Sequence, residues 1–151
     1  MQAAKLGKRA AVVERRRPVG GVCIDTGTIP SKTLREAYAI PEISMVGAPK
    51  HELTAEKVPY ETGVARYREI ARGQILGDHG GMFKMLFHRD NRRLLGIHCI
   101  GTGARELVHV GQAVLGLGGG LDYFLHTVFN CPTLAGCYKV AALDAANKLR
   151  Y

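Results

Sequence analysis

Tryptophan is absent from the 151 residues, and aromatic side chains of every kind make up only 7% of them. The six Tyr and four Phe are scattered, so the sequence builds no stacking platform for single-stranded nucleic acid. Long apolar runs are missing as well. None approaches the roughly 18–20 residues of a membrane-spanning helix. Near the start the longest is residues 10–13, well short of the roughly 7–15 residue core of a secretory signal. The expectation is a soluble, cytoplasmic protein with no membrane partner. Among the four cysteines, Cys23, Cys99, Cys131 and Cys137, there is no CxxC pair, and no Cys/His pair has zinc-finger spacing. Free thiols in a reducing compartment follow. The six histidines (His51, His79, His88, His98, His109 and His126) meet no carboxylate or cysteine at ligand spacing, so no metal is expected. A GxGxxG turn is also lacking, since GLGGG at residues 116–120 misses the spacing.

What is present is ordinary for a globular chain: 46% hydrophobic and 23% charged residues, in a length that suits one domain with a sizeable core. The net charge of +8 comes from 21 Lys and Arg against 13 Asp and Glu. Its dense points are Arg15-Arg16-Arg17 and Arg92-Arg93. Without interleaved aromatics, solvated faces and anionic cofactor contacts account for this charge more simply than a nucleic-acid partner does.

Residues 2–6 read as the last turns of a helix closed by Gly7, and residues 10–13 as a compact β run ended by Glu14. Gly20-Gly21 follows a basic loop, and Pro30 suits the first turn of a helix. Beyond residue 37 the character changes. Residues 42–47 and 57–64 read as short strands, and 82–88 and 94–100 as an antiparallel hairpin turning through Arg89-Asp90-Asn91-Arg92. Residues 104–117 are helical, with Leu107, Val108, Gly111, Val114 and Leu115 on one face. Residues 122–129 are a second helical candidate. A last helix capped by Thr133 carries Leu134, Tyr138, Ala141, Ala145 and Leu149 at helical spacing. Strands followed by helices predict an α+β fold, an antiparallel sheet with helices. There is no internal repeat.

A strand ending in an acidic residue is the place where a dinucleotide-binding βαβ unit holds the ribose, although a lone Glu14 is more simply a solvated side chain. The segment GGVCIDTGTIPSK at residues 20–32 is far more specific. With QAAKLGKRAAVVER at residues 2–15, it closely resembles the GGxCxxxGCxPSK region of the flavin-dependent pyridine nucleotide–disulfide oxidoreductases. The resemblance implies FAD as cofactor and NAD and NADP as substrates. It makes Glu14 the adenosine-ribose ligand with Arg15 beside it. Gly20, Gly21, Val22, Cys23 and Thr26 become neighbours of the pyrophosphate and flavin, and Lys32 a flavin contact.

Two departures select within the family. Thr28 stands where the second redox cysteine belongs, and a hydroxyl cannot form a disulfide with Cys23. In FNCPTLAGCY, residues 129–138, Cys131 and Gly136 stand where the disulfide reductases carry the His and Glu that they offer to the partner subunit's active site. No residue of this chain is therefore expected to perform dithiol catalysis. This double loss resembles the soluble transhydrogenase branch, in which FAD passes hydride between NADPH and NAD. The segments YAIPEISMVG, LTAEKVPYETG, LLGIHCIGTGARELVHVGQAVL, DYFLHTVFNCPTL and YKVAALDAANKL resemble that branch too.

The resemblance divides the chain into residues 1–37, a helix–strand remnant of a Rossmann-like FAD domain, and residues 38–151, a dimerisation or interface domain. The nicotinamide domain of a whole member has no counterpart. The chain by itself is thus expected to be an inactive, internally shortened member that pairs as a homodimer. An isolated interaction module and a dihydrolipoamide dehydrogenase-like relative without its redox disulfide are the alternatives.

Overall fold

The computed structural model describes residues 41–149. The chain divides after Ile40 into two units, and these residues belong to the second. The helix, strand and loop expected within residues 1–37 lie outside the described residues.

The unit is α+β. Strands β1 (Ile43–Gly47), β2 (Tyr60–Arg66), β3 (Met82–His88) and β4 (Leu94–Ile100) form one antiparallel sheet in the order β1-β4-β3-β2. Between β1 and β2 lies helix α1 (Lys50–Ala55). A 3-10 turn (Tyr67–Glu69) and helix α2 (Ala71–Leu76) follow β2. After β4 come α3 (Ala104–Gly116), α4 (Leu121–His126) and α5 (Gly136–Leu149).

Alternation within β3 and β4 sends Phe83, Met85, Phe87, Ile97 and Cys99 to one face, where all are buried. Helix α3 covers that face over β4 and β1, and α5 covers it over β2 and β3. The expected apolar face of α3 is the buried one: Leu107, Val108, Gly111 and Val114 are buried, and Leu115 packs against the core. At the centre sits the ring of Tyr138. Phe83 meets it edge-on at 4.5 Å, and Phe124 and Phe129 stack on it at 5.2 and 5.8 Å. Its hydroxyl donates to the Leu107 carbonyl at 2.6 Å and accepts from the Gly111 N–H at 2.8 Å. One side chain thereby ties α5 to α3, α4 and β3.

Helix α5 buries a wide small-residue face, Ala141, Ala142, Ala145 and Ala146, against β2. The approach is close enough that a Cβ on Gly63 would lie 2.0 Å from the Ala141 carbonyl oxygen. Asp144 and Lys148 then reach the strand itself. Asp144 Oδ2 accepts from the Val64 N–H at 2.9 Å, and Lys148 Nζ donates to the Thr62 carbonyl at 2.9 Å and to Asp144 at 2.6 Å.

The hairpin strands coincide with the sequence expectation, and five residues, 89–93, separate them. Arg92 takes a left-handed conformation (φ 57°) in the turn. Other limits differ. β2 starts at Tyr60 rather than residue 57, because Lys57 turns the chain at φ 57° before Pro59. α4 stops at His126, where Thr127 becomes extended. α5 starts at Gly136, and the Thr133 hydroxyl donates to the Asn130 carbonyl at 2.6 Å, stabilising the preceding loop. The short helices α1 and α2 were not anticipated.

Candidate functional site at the start of the last helix

The loop between α4 and α5 carries Cys131, and the first turn of α5 carries Gly136. Both line one pocket of about 320 Å³, with Ile70, Val128, Phe129, Pro132 and Val140 supplying most of its wall. The two positions that the sequence singled out near the carboxyl end are therefore brought together.

Three ties hold the loop. Lys139 Nζ donates to the carbonyls of Leu125 and Thr127, the latter at 3.2 Å, so a cation closes the carbonyl end of α4. Phe129 is anchored on the Tyr138 ring, and Thr133 is bonded to Asn130. The Cys131–Pro132 peptide is cis. Between these anchors Cys131 is exposed with a free thiol, and Val128 is 92% exposed. The glycine at 136 is not a packing requirement: the nearest atom to a Cβ there would be Ile70 Cγ2 at 3.8 Å, an ordinary contact.

The other described thiols are buried and free. Burial first, then the neighbouring Cys99 and Glu69, push the Cys137 thiol up to about 12. Burial likewise raises Cys99, against the opposing hydrogen bond of Tyr67, whose hydroxyl lies 3.4 Å from its sulfur. Neither is a thiolate at neutral pH, and no two described cysteines form a redox pair. With a thiol at 131 and no side chain at 136, the pocket has no His–Glu pair to take and return a proton. Among the described residues, no group of three or more His, Cys, Asp or Glu is placed to hold a metal, and no helix is long and apolar enough to cross a membrane.

The positions that the resemblance assigned to FAD, namely Glu14, Arg15, Gly20, Gly21, Val22, Cys23, Thr26 and Lys32, lie outside the described residues. So does Thr28. The pocket does not fit a dinucleotide by itself: its wall is largely apolar, without a glycine turn for a pyrophosphate or a carboxylate for a ribose. No flavin step is assigned to it. Sequence reasoning missed Ile70, Arg72 and Lys139 as lining residues. Lys139 lies one helical turn beyond Gly136, a signal that was present, whereas Ile70 and Arg72 arrive from a distant segment with no local pattern.

Residues 35–142, which include this sheet, α3, the start of α5 and the pocket there, match the family model of the pyridine nucleotide-disulphide oxidoreductase, dimerisation domain. The chain belongs to that family. Among curated relatives it is 57% identical over 113 residues to the soluble pyridine nucleotide transhydrogenase of Mycobacterium tuberculosis (strain ATCC 25177 / H37Ra), covering 75% of this chain and 24% of that protein. To the enzyme of the same name from Sodalis glossinidius it is 51% identical over 115 residues, covering 74% and 25%. The chain thus spans about a quarter of the length of these relatives. Among solved structures, LpdA from Mycobacterium tuberculosis shares the fold with a TM-score of 0.65 at 20% identity, over 93% of this chain and 28% of that one. The Cu(II) complex of the HOCl-induced flavoprotein disulfide reductase RclA from Escherichia coli also gives 0.65, at 16% identity over 68% and 23%.

Proposed function

We propose that this chain is the dimerisation module of a transhydrogenase-type flavoprotein, and that by itself it pairs with a second copy without transferring hydride. The observation that carries the reading is the pocket at the start of α5. Cys131 and Gly136 share it, on a surface where the family resemblance turns the corresponding groups toward a partner subunit, and the acid–base pair of a disulfide reductase is missing from both positions. Exposed apolar side chains support burial against another copy: Val128 in the pocket wall is almost fully exposed, and Leu143, farther along α5, is half exposed. In a whole member of the family, NADPH, NAD and FAD would be the reactants and cofactor, held by segments other than the described residues. Hydride transfer needs donor and acceptor rings held in contact and shielded from water, and the described unit supplies neither holder.

The test is to purify the chain, supply FAD, and follow hydride transfer from NADPH to an NAD analogue with a distinct absorbance, while sedimentation equilibrium reports mass. A self-associating, colourless protein without turnover is expected. Turnover at rates near those of intact relatives would contradict the reading. Retained FAD with no turnover would place Glu14 through Lys32 in a working flavin site.

A further inference from the structure

The geometry points to a small-molecule site: the pocket where α2 meets the loop before α5 takes an amphipathic monoanion, an apolar chain ending in a carboxylate, with Arg72 as its counterion. All of its wall comes from one chain, so the site does not depend on pairing. At about 320 Å³ it falls at the lower end of the range of small-molecule pockets, about 300–1,000 Å³.

The core holds the apolar side of this site in place. Ile70 is part of the core, Val140 packs against it, and Phe129 stacks on Tyr138. A wall fixed in advance loses little freedom when a ligand arrives. An apolar chain laid along Ile70, Val128, Phe129 and Val140 takes their surface, and its own, out of water.

Charge decides the other end of the ligand. The lining holds two cations, Arg72 and Lys139, and no carboxylate. Lys139 already donates its ammonium to the carbonyls of Leu125 and Thr127. Arg72 is exposed, and its side chain forms no ion pair or hydrogen bond with the described residues. Its planar fork is left to hold a carboxylate through two parallel N–H donors. A cationic ligand meets like charge here. Inorganic phosphate would set a dianion against an apolar wall with one free cation. An anion that carries its own apolar surface matches both sides of the pocket.

Octanoate is the probe, and the readout is iodoacetamide alkylation of Cys131, which lines the same pocket, followed by peptide mass spectrometry on the full chain. Sedimentation equilibrium at the same protein concentration reports mass. Protection at unchanged mass cannot come from pairing, so failure here is distinguishable from failure of the pairing reading. At about ten times its midpoint concentration, octanoate is expected to slow alkylation roughly tenfold, by mass action. Octylamine and acetate at that concentration are expected to leave the rate unchanged. Arg72→Gln is expected to weaken octanoate binding roughly tenfold, the loss of a charge-assisted pair. Gly136→Glu, which adds a carboxylate to the pocket, is expected to weaken it as well, and both variants to keep the parent's circular dichroism spectrum. Absence of protection by octanoate overturns the proposal. Equal protection by octylamine or by acetate overturns the ligand class. Protection that persists undiminished in both variants puts the anion elsewhere on the chain and overturns the site.

Discussion

Along α5 one helix meets two different constraints. In its middle, Ala141 and Ala145 lie so close to β2 that Gly63 has no room for a methyl group. At its first turn, Gly136 lines an open pocket with ordinary space around it. The first region is limited by packing and the second by chemistry. A glycine at the first turn of α5 therefore answers to no packing demand of the core, whereas Gly63 does.

Substitutions at the two ends of that contrast should separate widely. Tyr138→Ala removes the ring on which Phe83, Phe124 and Phe129 converge and leaves the Leu107 carbonyl and Gly111 amide without the hydroxyl between them. A loss of about 3–5 kcal/mol is expected, as for other buried aromatic truncations, read as a lowered urea midpoint. Gly63→Ala drives a methyl into backbone rather than a movable side chain, and about 2–3 kcal/mol is expected from overpacking, measured in the same way. Gly136→Glu should stay within about 0.5 kcal/mol of the parent. A large loss there would erase the distinction between the two regions.

His98 lies outside the α5 contact and responds to pH. On the sheet face opposite the core, burial first and then Lys84 hold His98 below the usual imidazole range, against an opposing hydrogen bond with the Ala48 backbone, and its Nε2 is buried without a partner. The unfolded chain therefore takes up this proton first. Stability from His98 is complete above the ordinary value near pH 6.5 and is lost as pH falls through the lower folded value. The expected outcome is a melting temperature that declines below about pH 6.5 in the parent and declines less in His98→Gln, the smallest effect of the series. Equal slopes would show that the buried imidazole is not responsible.

How much of this was legible follows from the length of each element. The β3–β4 hairpin was readable to its last residue because seven-residue strands alternate long enough to show a period and the turn between them is polar. α3 and α5 were readable because thirteen and fourteen residues display a helical stripe. α1 and α2, at six residues each, are too short to show one, and tertiary contacts decide them. Cys131 and Gly136 came from the family motif, since nothing in a lone thiol or a lone glycine marks a site. Ile70 and Arg72 reach the pocket only through the path of the chain after β2, which no local spacing encodes.

On the reading proposed above, the pocket face of α5 closes against a second subunit. The most direct measurement is the alkylation rate of Cys131, followed by peptide mass spectrometry as the chain is concentrated through its association range, since Cys99 and Cys137 are buried. The account predicts that Cys131 reacts at least tenfold more slowly once the chain associates. A rate that stays constant while the mass rises would show that the chain pairs elsewhere and would contradict it.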